Sequence, residues 1–142
     1  RANALEALDQ LELKTDKEVL LKCLKDDHNR VIGNACIALY NTYNDEFFSD
    51  IYRALSQLGS SNYEAPRLTL VFCVDQTRDE RFLPLIRSQF KQHNFDLVRE
   101  RSLKLLEEWS EDSPAVLYEL EEWKRSFQIG LDEEEPLDEF LD

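Results

Sequence analysis

Ile32-Gly33-Asn34-Ala35-Cys36-Ile37-Ala38-Leu39 has three gapless counterparts in the same chain. They are Arg1-Ala2-Asn3-Ala4-Leu5-Glu6-Ala7-Leu8, Ala65-Pro66-Arg67-Leu68-Thr69-Leu70-Val71-Phe72 and Arg99-Glu100-Arg101-Ser102-Leu103-Lys104-Leu105-Leu106. Laid over one another, Ala4, Ala35, Leu68 and Ser102 form one column, at spacings of 31, 33 and 34 residues. Ala7, Ala38, Val71 and Leu105 form a second column, and Leu8, Leu39, Phe72 and Leu106 a third. The three columns stand at i, i+3 and i+4, which is one face of an α-helix. A period in the low thirties marks a stack of supersecondary units.

Each segment after the first is preceded by another helical apolar pattern. The first runs from Asp16 to Leu24. The second runs from Asp45 to Leu58, with Phe47, Phe48, Ile51, Tyr52, Leu55 and Leu58 in phase. The third spans Asp79 to Phe90 around Phe82, Leu83, Leu85, Ile86 and Phe90. A fourth follows Ser113-Pro114 with Val116, Leu117, Leu120 and Trp123. Asp, Ser or Pro stands where several of them begin, as helix starts require. The links are short and polar: Asp26-Asp27-His28-Asn29, Gly59-Ser60-Ser61-Asn62 and Gln92-His93-Asn94. Paired helices of fixed period and short links describe an α-solenoid, in which each pair completes its neighbour's core. The small Ala4, Ala35 and Ala38 suit close approach of the second helices, and 113–127 reads as a polar-faced terminal cap.

Phe82-Leu83-Pro84-Leu85-Ile86 followed by Asp96-Leu97-Val98-Arg99 resembles the HEAT-repeat pattern: a Pro in the first helix, an Asp-containing turn, then Val-Arg opening the second. Asp26-Asp27 with Arg30-Val31-Ile32 is a weaker copy, and the copy opening near Pro66 lacks the Val-Arg pair. The resemblance covers about residues 1–127. It implies an all-α fold, a right-handed solenoid of about three and a half HEAT-like helix pairs over residues 1–128. Residues 129–142 are read as a separate acidic C-terminal segment. It also implies that the second helices line a concave binding face.

Composition agrees with helices. Among 142 residues there are three Gly and four Pro, too few for a loop-rich or sheet protein, while 42% are hydrophobic and 33% charged. No apolar run approaches the roughly 18 residues of a membrane span. The chain has no Met and opens inside a helical pattern without its pair, so it reads as a piece of a longer protein or a processed product. Cys23, Cys36 and Cys73 are odd in number and dispersed, unlike a disulfide framework, and read as buried thiols of a cytoplasmic protein. The net charge of −13 is unevenly spread. Residues 1–106 carry 16 acidic and 15 basic side chains, whereas 107–142 carry 14 and 2. Neither part has the basic footprint of a nucleic-acid binder.

Candidate chemistry is thin. His28 and His93 lie singly in polar turns, and Cys23 with His28 lacks the second pair a zinc site needs. Gly33, Gly59 and Gly130 are isolated, so no phosphate-cradling loop exists. No Ser or Cys sits in a nucleophile elbow, and Asp26-Asp27 and Glu107-Glu108 read as solvating carboxylates. The expectation is no catalytic residue, no metal, no cofactor and no small-molecule substrate. Phe47, Phe48, Tyr52, Phe72, Phe82, Phe90, Trp109 and Trp123 read as core, and Tyr40, Tyr43 and Tyr63 as surface.

The binding face follows from the alignment. One column of the concave stripe is Asn3, Asn34, Arg67 and Arg101, and the next is Glu6, Ile37, Leu70 and Lys104. Asn34, Ile37, Arg67, Leu70, Arg101 and Lys104 are therefore the expected partner-binding residues, with Ile37 and Leu70 as exposed apolar anchors. The segment Gly130–Asp142 mixes acidic residues with Leu131, Leu137, Phe140 and Leu141, a composition of segments that fold on binding. It, or a partner like it, is expected to suit a groove containing Arg67, Arg101 and Lys104. The leading reading is a protein–protein interaction scaffold. The alternatives are a HEAT-like enzyme or enzyme subunit, resembling tetrapyrrole lyases or DNA alkyl-base glycosylases, and self-assembly through the uncapped first edge.

Overall fold

A computed structural model of the protein describes residues 16–92 and 94–129. All regular structure among them is helical. The first repeat segment (Asn3, Ala4, Glu6, Ala7 and Leu8), His93 and the acidic segment from Gly130 onward lie outside the described residues. The chain divides between Ile86 and Arg87 into two compact units.

In the first unit, α1 spans Lys17–Cys23, α2 Asn29–Tyr43, α3 Phe48–Gly59 and α4 Glu64–Thr77. Asp16 starts α1 by accepting the Glu18 amide at 2.9 Å, a cap of about 1 kcal/mol. The expected helix from Asp45 starts later, because Asn44–Phe47 winds as a 3₁₀ turn. The stretch from Asp79 is broken further into a 3₁₀ turn at Glu80–Phe82, the short α5 at Leu83–Arg87 and another 3₁₀ turn at Ser88–Lys91. Pro84 lies in the first turn of α5, where its missing N–H removes no helical bond.

α2 packs on α1, α3 and α4, and α3 packs on α4. Between them lie Leu20, Val31, Ala35, Leu39, Ile51, Leu55, Leu70, Val74 and Phe82, all buried. Phe82 stacks on Phe48 with centroids 5.1 Å apart, and Tyr40 and Tyr52 flank it at 6.2 Å. A polar knot closes over this cluster. Tyr40 donates to Asp79 Oδ2 at 2.8 Å, and Arg81 donates to both Asp79 oxygens and to Asp45 Oδ1 at 2.8 Å. The Arg81 guanidinium lies 3.8 Å from the Phe48 ring centroid, a solvent-exposed cation–π contact.

In the second unit, α6 spans Asp96–Ser110 and α7 Pro114–Phe127. Three residues join them, and the two pack as a hairpin. Ser113 Oγ accepts the Val116 amide at 3.3 Å, with Pro114 opening the helix, as expected. The buried side chains are Val98, Ser102, Leu105, Leu106 and Trp109 from α6, and Val116, Leu120 and Trp123 from α7. Phe90 meets Trp123 and Phe127 at 6.3 and 6.1 Å.

Ser102 is fully buried and its hydroxyl has no hydrogen-bond partner among the described residues. A buried unsatisfied hydroxyl carries its desolvation cost, and Ser forms helix less readily than Ala. Ser102→Ala is therefore expected to stabilise the protein by about 1 kcal/mol, read as a higher urea midpoint with unchanged slope. A lower midpoint would mean that the hydroxyl is satisfied in solution.

Phe72 departs from its expected place. It was aligned with Leu39 and Leu106, both fully buried, yet it is 52% exposed. Leu70 and Val74 take the buried places in α4 instead. Val71, aligned with Ala38 and Leu105, is buried as expected, so burial along this helix follows the alignment only in part.

Candidate interaction face

The seam between α2 and α4 determines which side chains reach solvent. Asn29 Nδ2 donates to Thr69 Oγ1 at 2.5 Å and reaches the Ala65 carbonyl at 3.5 Å. One turn further, the Cys73 thiol donates to the Gly33 carbonyl at 3.5 Å. Contacts thus advance together along both helices, so α2 and α4 run parallel. Gly33 makes the approach possible. A Cβ there would lie 2.6 Å from Thr69 Cγ2 and 3.2 Å from Cys73 Sγ.

Each residue turns a helix by about 100°. On α2, the residue after a seam contact therefore swings to one side. On the parallel α4, the residue before a seam contact swings to that same side. Asn34, Ile37 and Asn41 of α2 thus share a face with Leu68, Phe72 and Gln76 of α4. Phe72, Asn41 and Gln76 are exposed, and the other three are half-buried. The middle of the face carries an aromatic ring among aliphatic and amide side chains, and its start carries the exposed Arg30, which follows Asn29, and Glu64, which precedes Ala65. Interface centres have the composition of that middle, with aromatics enriched and charges depleted.

The six expected binding residues fare differently. Asn34 and Ile37 are on this face. Arg101 and Lys104 are exposed on α6, in the second unit. Arg67 and Leu70 are corrections, since neither is exposed. Leu70 is fully buried and Arg67 is 5% exposed. Both lie on the inward side of α4. Arg67 spends its guanidinium on the chain itself, donating from Nε to the Ser61 carbonyl at 2.6 Å, just beyond the end of α3. Burial lowers its pKa. A groove made basic by Arg67 is accordingly withdrawn. Sequence reasoning missed Leu68, Phe72 and Gln76, having placed Leu68 and Phe72 in buried columns.

Other candidate chemistry stays dispersed. His28 is an exposed turn residue bonded to Asp26 Oδ1 at 3.1 Å. The Cys36 and Cys73 thiols are pushed up by burial, Cys73 to about 12, so neither is a ready nucleophile. Among the described residues no three His, Cys, Asp or Glu side chains converge as metal ligands, and no helix is long and apolar enough to cross a membrane. No protein-family model, curated protein or solved structure matches the chain.

Proposed function

We propose that the chain is a non-catalytic protein-interaction module, built as a HEAT-like α-solenoid, whose partner docks on the shared face of α2 and α4. The observation that carries this reading is Phe72, a large apolar side chain left 52% exposed on this stripe. Isolated exposed apolar residues need no explanation, but an aromatic beside half-exposed Ile37 and Leu68 forms a contiguous patch of the kind partners cover. Parallel helices side by side, each backed by another helix, support the repeat reading of the first unit.

Affinity capture from a source lysate, followed by mass spectrometry, tests the proposal. Phe72→Ala is expected to lower recovery of the specific partner roughly 30-fold, the effect of losing an aromatic hot spot worth about 2 kcal/mol. Tyr63→Ala removes a ring that is 75% exposed but lies outside this face, and should leave recovery unchanged. Equal recovery by the two variants would remove the face from consideration. Recovery of nucleic acid in place of protein would overturn the module reading altogether.

A further inference from the structure

We propose that a groove along the outer side of α3 is a second docking site, one that takes an acidic peptide segment with apolar anchors from a partner protein. This goes beyond the α2–α4 reading, since the surface, the ligand chemistry and the residues all differ. Two cavities lie in line along α3. One, of about 310 Å³, lies between α3 and the end of α1. The other, of about 430 Å³, lies over Phe48, Tyr52 and Ser56. Arg53 and Gln57 line both, so the two adjoin across these side chains. Volumes of this order suit ligand side chains rather than single waters.

The first cavity has Lys22, Lys25 and Arg53 at its walls against one carboxylate, Asp50. Asp50 is engaged by Arg53 at 4.0 Å, which leaves the two lysines for an incoming anion. Leu21, Leu24 and Ala54 supply the apolar lining. The second cavity is walled by the Phe48 and Tyr52 rings, with hydroxyls and an amide at its edge. A bare ion would satisfy the lysines and leave both apolar walls wet. An extended acidic segment with two apolar side chains satisfies all of it. Residues 1–106 are nearly balanced, with 16 acidic and 15 basic side chains, so the cations gathered in this hollow concentrate the attraction for such a segment.

The test is fluorescence anisotropy at low ionic strength with the full chain. The probe is a fluorescein-labelled dodecapeptide of Asp and Glu with one Leu and one Phe. Saturable binding is expected. Replacing the exposed Lys22, Lys25 and Arg53 together by Gln should weaken it about tenfold and flatten its salt dependence. A peptide of Asp and Glu alone should bind about fivefold more weakly. Phe72→Ala should leave probe binding unchanged, which keeps this site's failure separate from that of the α2–α4 face. The proposal is overturned by no saturable binding to the natural chain, by a triple variant of equal affinity and unaltered helicity, or by equal binding of the purely acidic peptide. Probe binding that emerges only when Glu133, Glu134, Glu135 and Glu139 are changed to Gln would assign the groove to the chain's own C-terminal segment and overturn the partner assignment.

Discussion

Gly33→Leu is expected to cost about 3 kcal/mol of folding free energy, the upper end of the penalty for overfilling a packed interior. The seam offers no room. The first atom of any side chain at this position falls within 2.6 Å of Thr69 Cγ2 and 3.2 Å of Cys73 Sγ. The Thr69 methyl is held in place because its own Oγ1 is engaged by Asn29, and a β-branched side chain has few rotamers to escape into. Gly33→Ala should still destabilise, by about 1 kcal/mol, although alanine favours helix over glycine by about that much. The diagnostic comparison is the same change in a Thr69→Ser background. Serine keeps the hydroxyl for Asn29 and deletes the clashing methyl, so Gly33→Ala should there become neutral or slightly stabilising. Urea unfolding of the four proteins measures the reversal. Additive effects would show that the seam does not close as described.

Asp79→Asn is expected to be the most damaging polar substitution, and its effect is bound to pH. The side-chain hydrogen bond from Arg81 is the main reason that the Asp79 carboxyl sits at about 2. Burial opposes this, while the Arg81 amide and the Tyr40 hydroxyl add to it. The folded value lies below the ordinary 3.8, so the stabilisation is fully present above pH 4 and is lost as pH falls towards 2. A depression of this size corresponds to roughly 2.5 kcal/mol at full weight. Solvent screening around the exposed Arg81 reduces it to about 1–2 kcal/mol. Asparagine keeps the shape and the capping oxygen but has no proton to lose. The variant should be less stable than the natural chain at pH 7 and should approach it at pH 2.5. Parallel stability curves between pH 4 and 2 would place the acid sensitivity elsewhere.

Sequence reading succeeded in α2 and α6 and stopped at α4. Ala35 and Ser102 were aligned in one column and both are fully buried, as are Leu39 and Leu106 in another. Both helices are amphipathic enough for spacing to select a face. Asp16 and Ser113 marked helix starts because their oxygens have a local task that the neighbouring sequence displays. In α4 that logic fails. Leu68, Leu70, Val71, Phe72, Cys73 and Val74 follow one another almost without a polar break, so several faces serve equally well as the buried one. The choice is made by contacts outside the apolar run: the bare backbone at Gly33 and the Asn29 amide on α2, and the carbonyl of Ser61 that accepts from Arg67. None of these is visible in a column of aligned residues. The candidate face inherits the error, for its central ring was placed in the core and a core leucine was placed in its stead. The fragmentation around α5 is likewise not written in the apolar spacing.

The seam also carries its own clock. Cys73 sits against Gly33 with its thiol at about 12, and Cys36 is buried nearby with its own pKa raised. At neutral pH almost no thiolate forms at either sulfur while α2 and α4 stay together. Alkylating reagents therefore meet these two sulfurs only in molecules whose helices have parted, whereas the half-buried Cys23 is far less protected. The pace at which the two buried cysteines are modified, set against that of Cys23, reports how often the first unit opens, without any probe being added to it.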